Sequence, residues 1–322
     1  MVDKALPVLF LALCCAGQQA VLDSDVPDYK PVAPMKGALS LGPDGGFESL
    51  LGLWTQRLKS YHPDLRVPVP ERKPSLSTPK AMTSGAARWG LMGRRWSDLE
   101  LEDFQVYWES PPIELIVAAD AVAIVVHRDN PVRGLKLEEL EAIYSSTRRR
   151  GSPAIRTWGD LGLGDAWKNR PVHAFGIKAD STPVPIARNV FVDRVLQKGS
   201  FRSDVKELSG LQTVLLAVSE DPLAIGFVTF STQSNGVRQV PLLPSDGGKA
   251  VDPTRDNILN LSYPLAWQIR LSYYDSPRLP LEPSLRELVA LILSRDGQSI
   301  AAEEGYVPIS GPIARKQMKL LK

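Results

Sequence analysis

"VAADAVAIVVHRDNP", residues 117–131, places a single carboxylate, Asp120, inside an otherwise apolar run. Val117, Ala118, Ala119 and every residue from Ala121 to Val126 belong in an interior, so the stretch reads as one apolar strand. An unpaired ionised carboxylate there would cost several kcal/mol or be driven towards its neutral form. An acid in such a strand therefore needs a reason.

Outward from that strand, the chain alternates strands with helices. Upstream, "ALSLG" (38–42) reads as a short strand and "GPDGG" as a turn. "FESLLGLWTQRLKSY" has Leu50, Leu51, Trp54 and Leu58 at helical spacing. The proline-rich stretch 62–80 must be extended or looping. "SDLELEDFQVYW" opens with Ser97 and Glu100 in the spacing of a capping box, so a helix starts there. Downstream, helices are expected at 135–146, at 185–199 (ended by Gly199) and from Leu211. Strands are expected at 172–177, 224–230 and 263–274, and one or two helices from Leu281. This alternation predicts an α/β architecture.

At 322 residues the chain exceeds one ordinary core, and two domains are expected. Hydrophobic residues at 43% and charged residues at 23% are ordinary globular values. A formal charge of +2 gives no bulk attraction towards nucleic acid or an anionic membrane. The N-terminus, "MVDKALPVLFLALCCAGQQA", has Lys4, an apolar run from Ala5 to Ala16, then small and polar residues, the pattern of a secretory signal over 1–20. That run falls short of the about 20 residues a spanning helix needs. Both cysteines, Cys14 and Cys15, lie within it, so export would leave no internal disulfide. Acylation at Cys14 or Cys15 is the second route, although Leu13 is bulkier than lipoprotein sites favour.

Enzyme motifs are missing. His62, His127 and His173 are isolated, with no HExxH spacing, so no metal site and no cofactor are expected. No G-x-S-x-G or G-x-x-x-x-G-K-[ST] occurs. "GDLGLGDAW" (159–167) has the wrong glycine spacing for a dinucleotide loop and reads as a turn between short helices. "TRRRG" (147–151) reads as a solvated helix end. Three segments offer anion donors instead. In "GPDGG", the backbone N–H groups of Gly45, Gly46 and Phe47 would point out of a helix N-terminus. "GIKADSTPVP" (176–185) repeats strand, small polar loop and helix, with Lys178, Asp180, Ser181 and Thr182; plain helix capping by Asp180 or Ser181 is the simpler account of it alone. Arg94, in "LMGRRW", could present a fork of donors to an oxyanion.

Taken in order, residues 101–145, "TWGDLG", residues 172–208, "AVSEDPLAIGFVTF", "SYPLAWQIRL" and residues 285–310 resemble the phosphate-binding component of bacterial ABC importers. The set Asp-x-x-A-I-V-V-H-x-x-N-P-V, T-W-x-D-L, A-I-G-F-V, S-x-x-G-Q and G-Y-x-P carries the resemblance, over roughly residues 38–320. It implies an α/β, two-lobed type II periplasmic-binding-protein fold with two crossover strands. Lobe I would comprise 36–124 and 228–322, and lobe II 125–227. It implies a periplasmic, exported, monomeric, non-enzymatic receptor that holds inorganic phosphate or a similar oxyanion between its lobes and docks on a permease, with no nucleic-acid partner. The acid matching Asp120 would accept a hydrogen bond from a protonated phosphate oxygen, which sulfate lacks. Asp120 would stay ionised because helix N-termini and an arginine face the same cleft.

The departures cluster at the ligand loops. Gly93-Arg94 stands where the family has Ser-Arg, and Ile177 where it has an arginine. Ser181-Thr182-Pro183 replaces Ser-Gly-Thr, and Gly45 or Gly46 replaces a hydroxyl residue. Pro183 has no N–H to donate. The alternative is thus a divergent member with weak or no phosphate binding, serving as a sensor, adhesion or assembly protein.

Overall fold

The computed structural model describes residues 22–32, 34–68, 77–181, 186–244 and 248–321. The expected signal segment and Thr182 and Pro183 lie outside them. The first half opens with β1 (Gly37–Ala38), α1 (Glu48–Tyr61), β2 (Leu65–Arg66) and α2 (Thr78–Thr83). It continues through β3 (Trp89–Met92) and α3 (Asp98–Trp108) into β4 (Ile113–His127). The capping box at α3 forms as read, with the Ser97 side chain accepting from Glu100 N–H and the Glu100 carboxylate accepting from Ser97 N–H at 2.9 Å. Leu50, Leu51, Trp54 and Leu58 of α1 are buried in the core.

β4 is one strand of 15 residues, and it is where the sheet changes hands. Beyond it come β5 (Leu135–Lys136), α4 (Leu137–Tyr144), β6 (His173–Ile177) and α5 (Ile186–Arg194). Then follow β7 (Lys206–Leu208), α6 (Leu211–Glu220), β8 (Ala224–Thr229), β9 (Val237–Val240) and β10 (Leu242–Leu243). The chain returns through α7 (Arg255–Leu259) to β11 (Ala266–Tyr273), α8 (Pro283–Ile292), α9 (Arg295–Glu303) and α10 (Gly311–Met318). The main sheet has the order β3-β11-β4-β8-β6-β7, with β9 also on β4. β11 pairs antiparallel with Ile113–Ala121, whereas β8 and β9 pair with Val122–His127. The sheet is therefore curled and mixed, and its two halves share β4. Parallel pairing of β6 with β7 and β8 in the second half is the expected outcome of strand–helix alternation.

One expectation is corrected and one is refined. The helix expected at 185–199 ends at Arg194, because Gln197 and Lys198 take left-handed φ values of 50° and 62° and turn the chain before Gly199. The "TRRRG" segment keeps Thr147, Arg149 and Gly151 exposed, as a solvated end does, but its backbone is also pinned to the interior. The N–H groups of Arg149 and Arg150 bind the fully buried carboxylate of Glu141 at 2.7 and 2.9 Å, and the Arg150 guanidinium donates to the Arg194 carbonyl at 2.7 Å. "GDLGLGDAW" forms two short 3-10 helices, Trp158–Leu161 and Asp165–Trp167, as expected.

The turn before α1 is set by backbone contact. Gly45 has φ +62°, and a Cβ there would sit 2.3 Å from the Leu91 carbonyl oxygen on β3; Gly46 has φ +92° and nothing within 4 Å. Only glycine fits the first position. Gly45→Ala should lower stability by more than ~2 kcal/mol and Gly46→Ala by about 1 kcal/mol. Urea denaturation midpoints at unchanged slope measure this, and equal losses would refute the contact.

Candidate functional site

Asp120 lies one residue before β4 exchanges β11 for β8, and only 4% of it is exposed. Its Oδ1 accepts from the Ala121 N–H at 2.7 Å. Burial pushes the carboxyl up to about 8, against the opposing pull of hydrogen bonds from the Ala121 and Phe230 backbone. No cation enters that balance. The expectation of an ionised Asp120 held by an arginine and helix N-termini is therefore corrected for the unliganded protein.

Three of the expected donors are engaged locally. Gly46 N–H donates to Asp44 Oδ1 at 2.7 Å and Phe47 N–H to the Asp44 carbonyl at 3.0 Å, so Asp44 closes both donors into its own turn. Phe47 contributes its ring instead: it is 2% exposed and stands edge-to-face with Tyr306 at 6.2 Å. The Arg94 guanidinium forks onto Glu100, with Nη1 and Nη2 each 2.7 Å from a carboxylate oxygen, and the arginine side chain is 53% exposed. That pairing, with help from Ser97, draws the Glu100 carboxyl down to about 2. The fork expected to face an oxyanion faces a neighbouring acid.

The loop after β6 sorts its residues by strand alternation. Ile177 is fully buried in the core, so this position is not a loop position and an arginine there would bury its charge. Lys178, the next residue, is exposed and is the cation at the mouth of the loop, its N–H bonded to the Leu208 carbonyl at 2.9 Å. Asp180 is exposed as well, while Ser181 is half-buried with its Oγ sealed from solvent and without a hydrogen-bond partner.

Sequence reading missed three neighbours of Asp120. Trp267 pairs directly with Asp120 across the β11–β4 ladder, so both side chains stand on one face of the sheet. Its indole Nε1 is buried and unpartnered. Tyr306 carries a phenol raised to about 12 by burial first and by Asp120 second. Phe230 supplies a backbone donor. Gly93 completes the group: a Cβ there would lie 3.4 Å from Phe47 Cζ and 3.7 Å from Trp267 Cδ1. Nothing in a single sequence announces these partners, because register across the sheet brings them together.

A curled sheet whose halves share one strand, with a sealed acid at the exchange point, is the arrangement of a two-lobed binding protein. The PBP superfamily domain matches residues 31–296, and the chain belongs to that superfamily. More particularly, the chain is 32% identical over 318 residues to a Pseudomonas aeruginosa protein named phosphate-binding protein PstS, covering 98% of this chain and 97% of that one. The resemblance to the phosphate-binding component of ABC importers therefore holds. Among solved structures, a possible phosphate-binding protein from Planctomyces limnophilus superposes with a TM-score of 0.70 at 16% identity, covering 89% of this chain and 98% of that one. An ABC-type phosphate transport receptor from Vibrio cholerae gives 0.65 at 18%, covering 85% and 100%. At those identities the structures bear on the fold alone, and they bear out the two-lobed type II architecture.

The Asp120 carboxyl sets a pH dependence. Its ordinary pKa is 3.8 and its folded value about 8, so between those values the folded chain keeps a proton that the unfolded chain has released. Stability from this group is full below about 4 and falls as pH rises to about 8. Asp120→Asn has no such loss. Its melting temperature relative to the parent should climb from pH 4 to pH 8 and then level, and parallel curves would refute the assignment.

Proposed function

We propose that this protein is the exported solute-binding receptor of a phosphate ABC importer, closing its halves on inorganic phosphate or a related oxyanion and presenting it to a membrane permease. The observation that carries the reading is the sealed carboxyl at the strand exchange, in a chain alike over its whole length to a protein named for phosphate binding. That likeness favours uptake over a sensor, adhesion or assembly role. Phosphate near neutral pH carries a proton and sulfate does not, so an ionised Asp120 shares a proton with the first and repels the second. Because burial holds the carboxyl near 8, rejection of sulfate sharpens as pH rises through that value.

The lobes are proposed as 36–121 with 266–321, and 122–260. Putting the return near 260–266, later than the expected residue 228, is supported by the pairing of β9 with β4 and of β10 with β5. The second crossover is the stretch into β11, where Val122 N–H donates to the Leu265 carbonyl at 3.1 Å. The receptor acts as a periplasmic monomer without cofactor, metal or catalytic step. Lipid attachment through Cys14 or Cys15 is the variant form of its export. Ligand donors would come from Lys178, Ser181, Tyr306 and the uncapped start of α1.

Isothermal titration tests this. At pH 8.5 the parent should bind phosphate and reject sulfate. Asp120→Asn should weaken phosphate at least tenfold and leave sulfate unchanged or improved, since an amide can donate. Equal loss of both anions would defeat the shared proton, and a parent that binds no phosphate would defeat the receptor reading.

A further inference from the structure

A buried indole N–H without an acceptor is costly, because the group loses its water and gains nothing in return. Trp267 is 2% exposed, and its Nε1 has no hydrogen-bond partner. It is also the residue directly opposite Asp120 in the ladder. Its pyrrole edge is located by the contact at Gly93: the point a Cβ would occupy there is 3.7 Å from Cδ1, the atom bonded to Nε1, and 3.4 Å from Phe47 Cζ. The indole edge and the Phe47 ring thus meet at Gly93, a position without a side chain, and the indole shares its face of the sheet with Asp120.

We propose that Trp267 is a ligand-binding residue, its indole N–H donating to an oxygen of the bound oxyanion beside Asp120. Gly93 adds no side chain at that edge. Two chemistries then meet the ligand from adjacent strands: a donor that cannot accept, from β11, and a carboxyl that reads a proton, from β4. The donor carries no charge, which suits a site whose neighbouring arginine is engaged by Glu100. A neutral N–H to an anionic oxygen still forms a charge-assisted bond. This inference rests on the oxyanion-receptor reading.

Indole N–H resonances of the uniformly 15N-labelled protein provide the test, with Trp267 among 7 tryptophans assigned by its disappearance in Trp267→Phe. Titrating inorganic phosphate should move the Trp267 resonance downfield, as a newly bonded donor requires, and should saturate in step with calorimetric binding. Trp267→Phe should bind phosphate at least tenfold more weakly, and adding Gly93→Ser, whose hydroxyl starts from the same point, should recover part of the loss. An unmoved resonance in a parent that binds phosphate overturns this inference alone. Undiminished affinity in Trp267→Phe overturns it too, as does a folded double variant that recovers nothing. A parent that binds no phosphate overturns the receptor reading and this inference together.

Discussion

The backbone hydrogen bonds of β4 hold the two halves of the sheet on one chain segment. Up to Ala121 its antiparallel partner is β11; from Val122 onward it is β8 and β9. Every core residue from Val117 to Val126 other than Asp120 is apolar and fully buried, so neither half can release the strand without exposing its own interior. Any relative motion of the halves would be taken up at this exchange of partners and at the return into β11. Asp120 stands at that exchange, which explains why a position so costly for an acid is the position that would feel a ligand.

Charge is settled locally almost everywhere around this point. Asp44 closes its own turn, Glu100 takes the Arg94 fork, and Glu141 is wrapped by the N–H groups of Arg149 and Arg150. Around Asp120 stand the aromatic Phe47, Tyr306 and Trp267, and the Arg194 guanidinium donates to the Ala266 carbonyl beside Trp267 at 2.7 Å. On the receptor reading proposed above, an anion there would be recognised by oriented dipoles and a shared proton as well as by charge.

The parts of this arrangement that depend on local sequence were legible. The strand at 113–127, the capping box at Ser97 and Glu100, and the apolar face of α1 follow from periodicity and capping chemistry within a few residues. The chain-long order of motifs gave the two-lobed fold. Of the proposed site, Asp120, a polar residue where none belongs, and the loop residues Lys178 and Ser181 were legible in the sequence. Arg94 looked available because its partner lies six positions on, within the first turn of α3, where Glu100 already has a capping role. Ile177 looked like a loop residue because strand ends cannot be read to one residue, and one residue decides between core and solvent. Trp267 and Tyr306 arrive from distant segments, through register and through the bridge between Ala119 and Val307, neither of which a single sequence encodes visibly.

The chain from Asp23 to Tyr29 is laced mainly to the first half, and Asp23 also faces the Arg255 guanidinium of α7. Gly311 N–H donates to Asp23 Oδ2 at 2.8 Å, Arg315 and Arg295 donate to the Asp25, Ser24 and Val26 carbonyls, and the Tyr29 hydroxyl donates to Glu287 Oε2 at 2.6 Å. A mechanical load arriving at residue 22 is therefore carried first into α8, α9 and α10. The second half takes its share through β4, the return into β11 and the charge contact of Arg255 with Asp23. Pulled from its leading end, the molecule would strain its first half before its second.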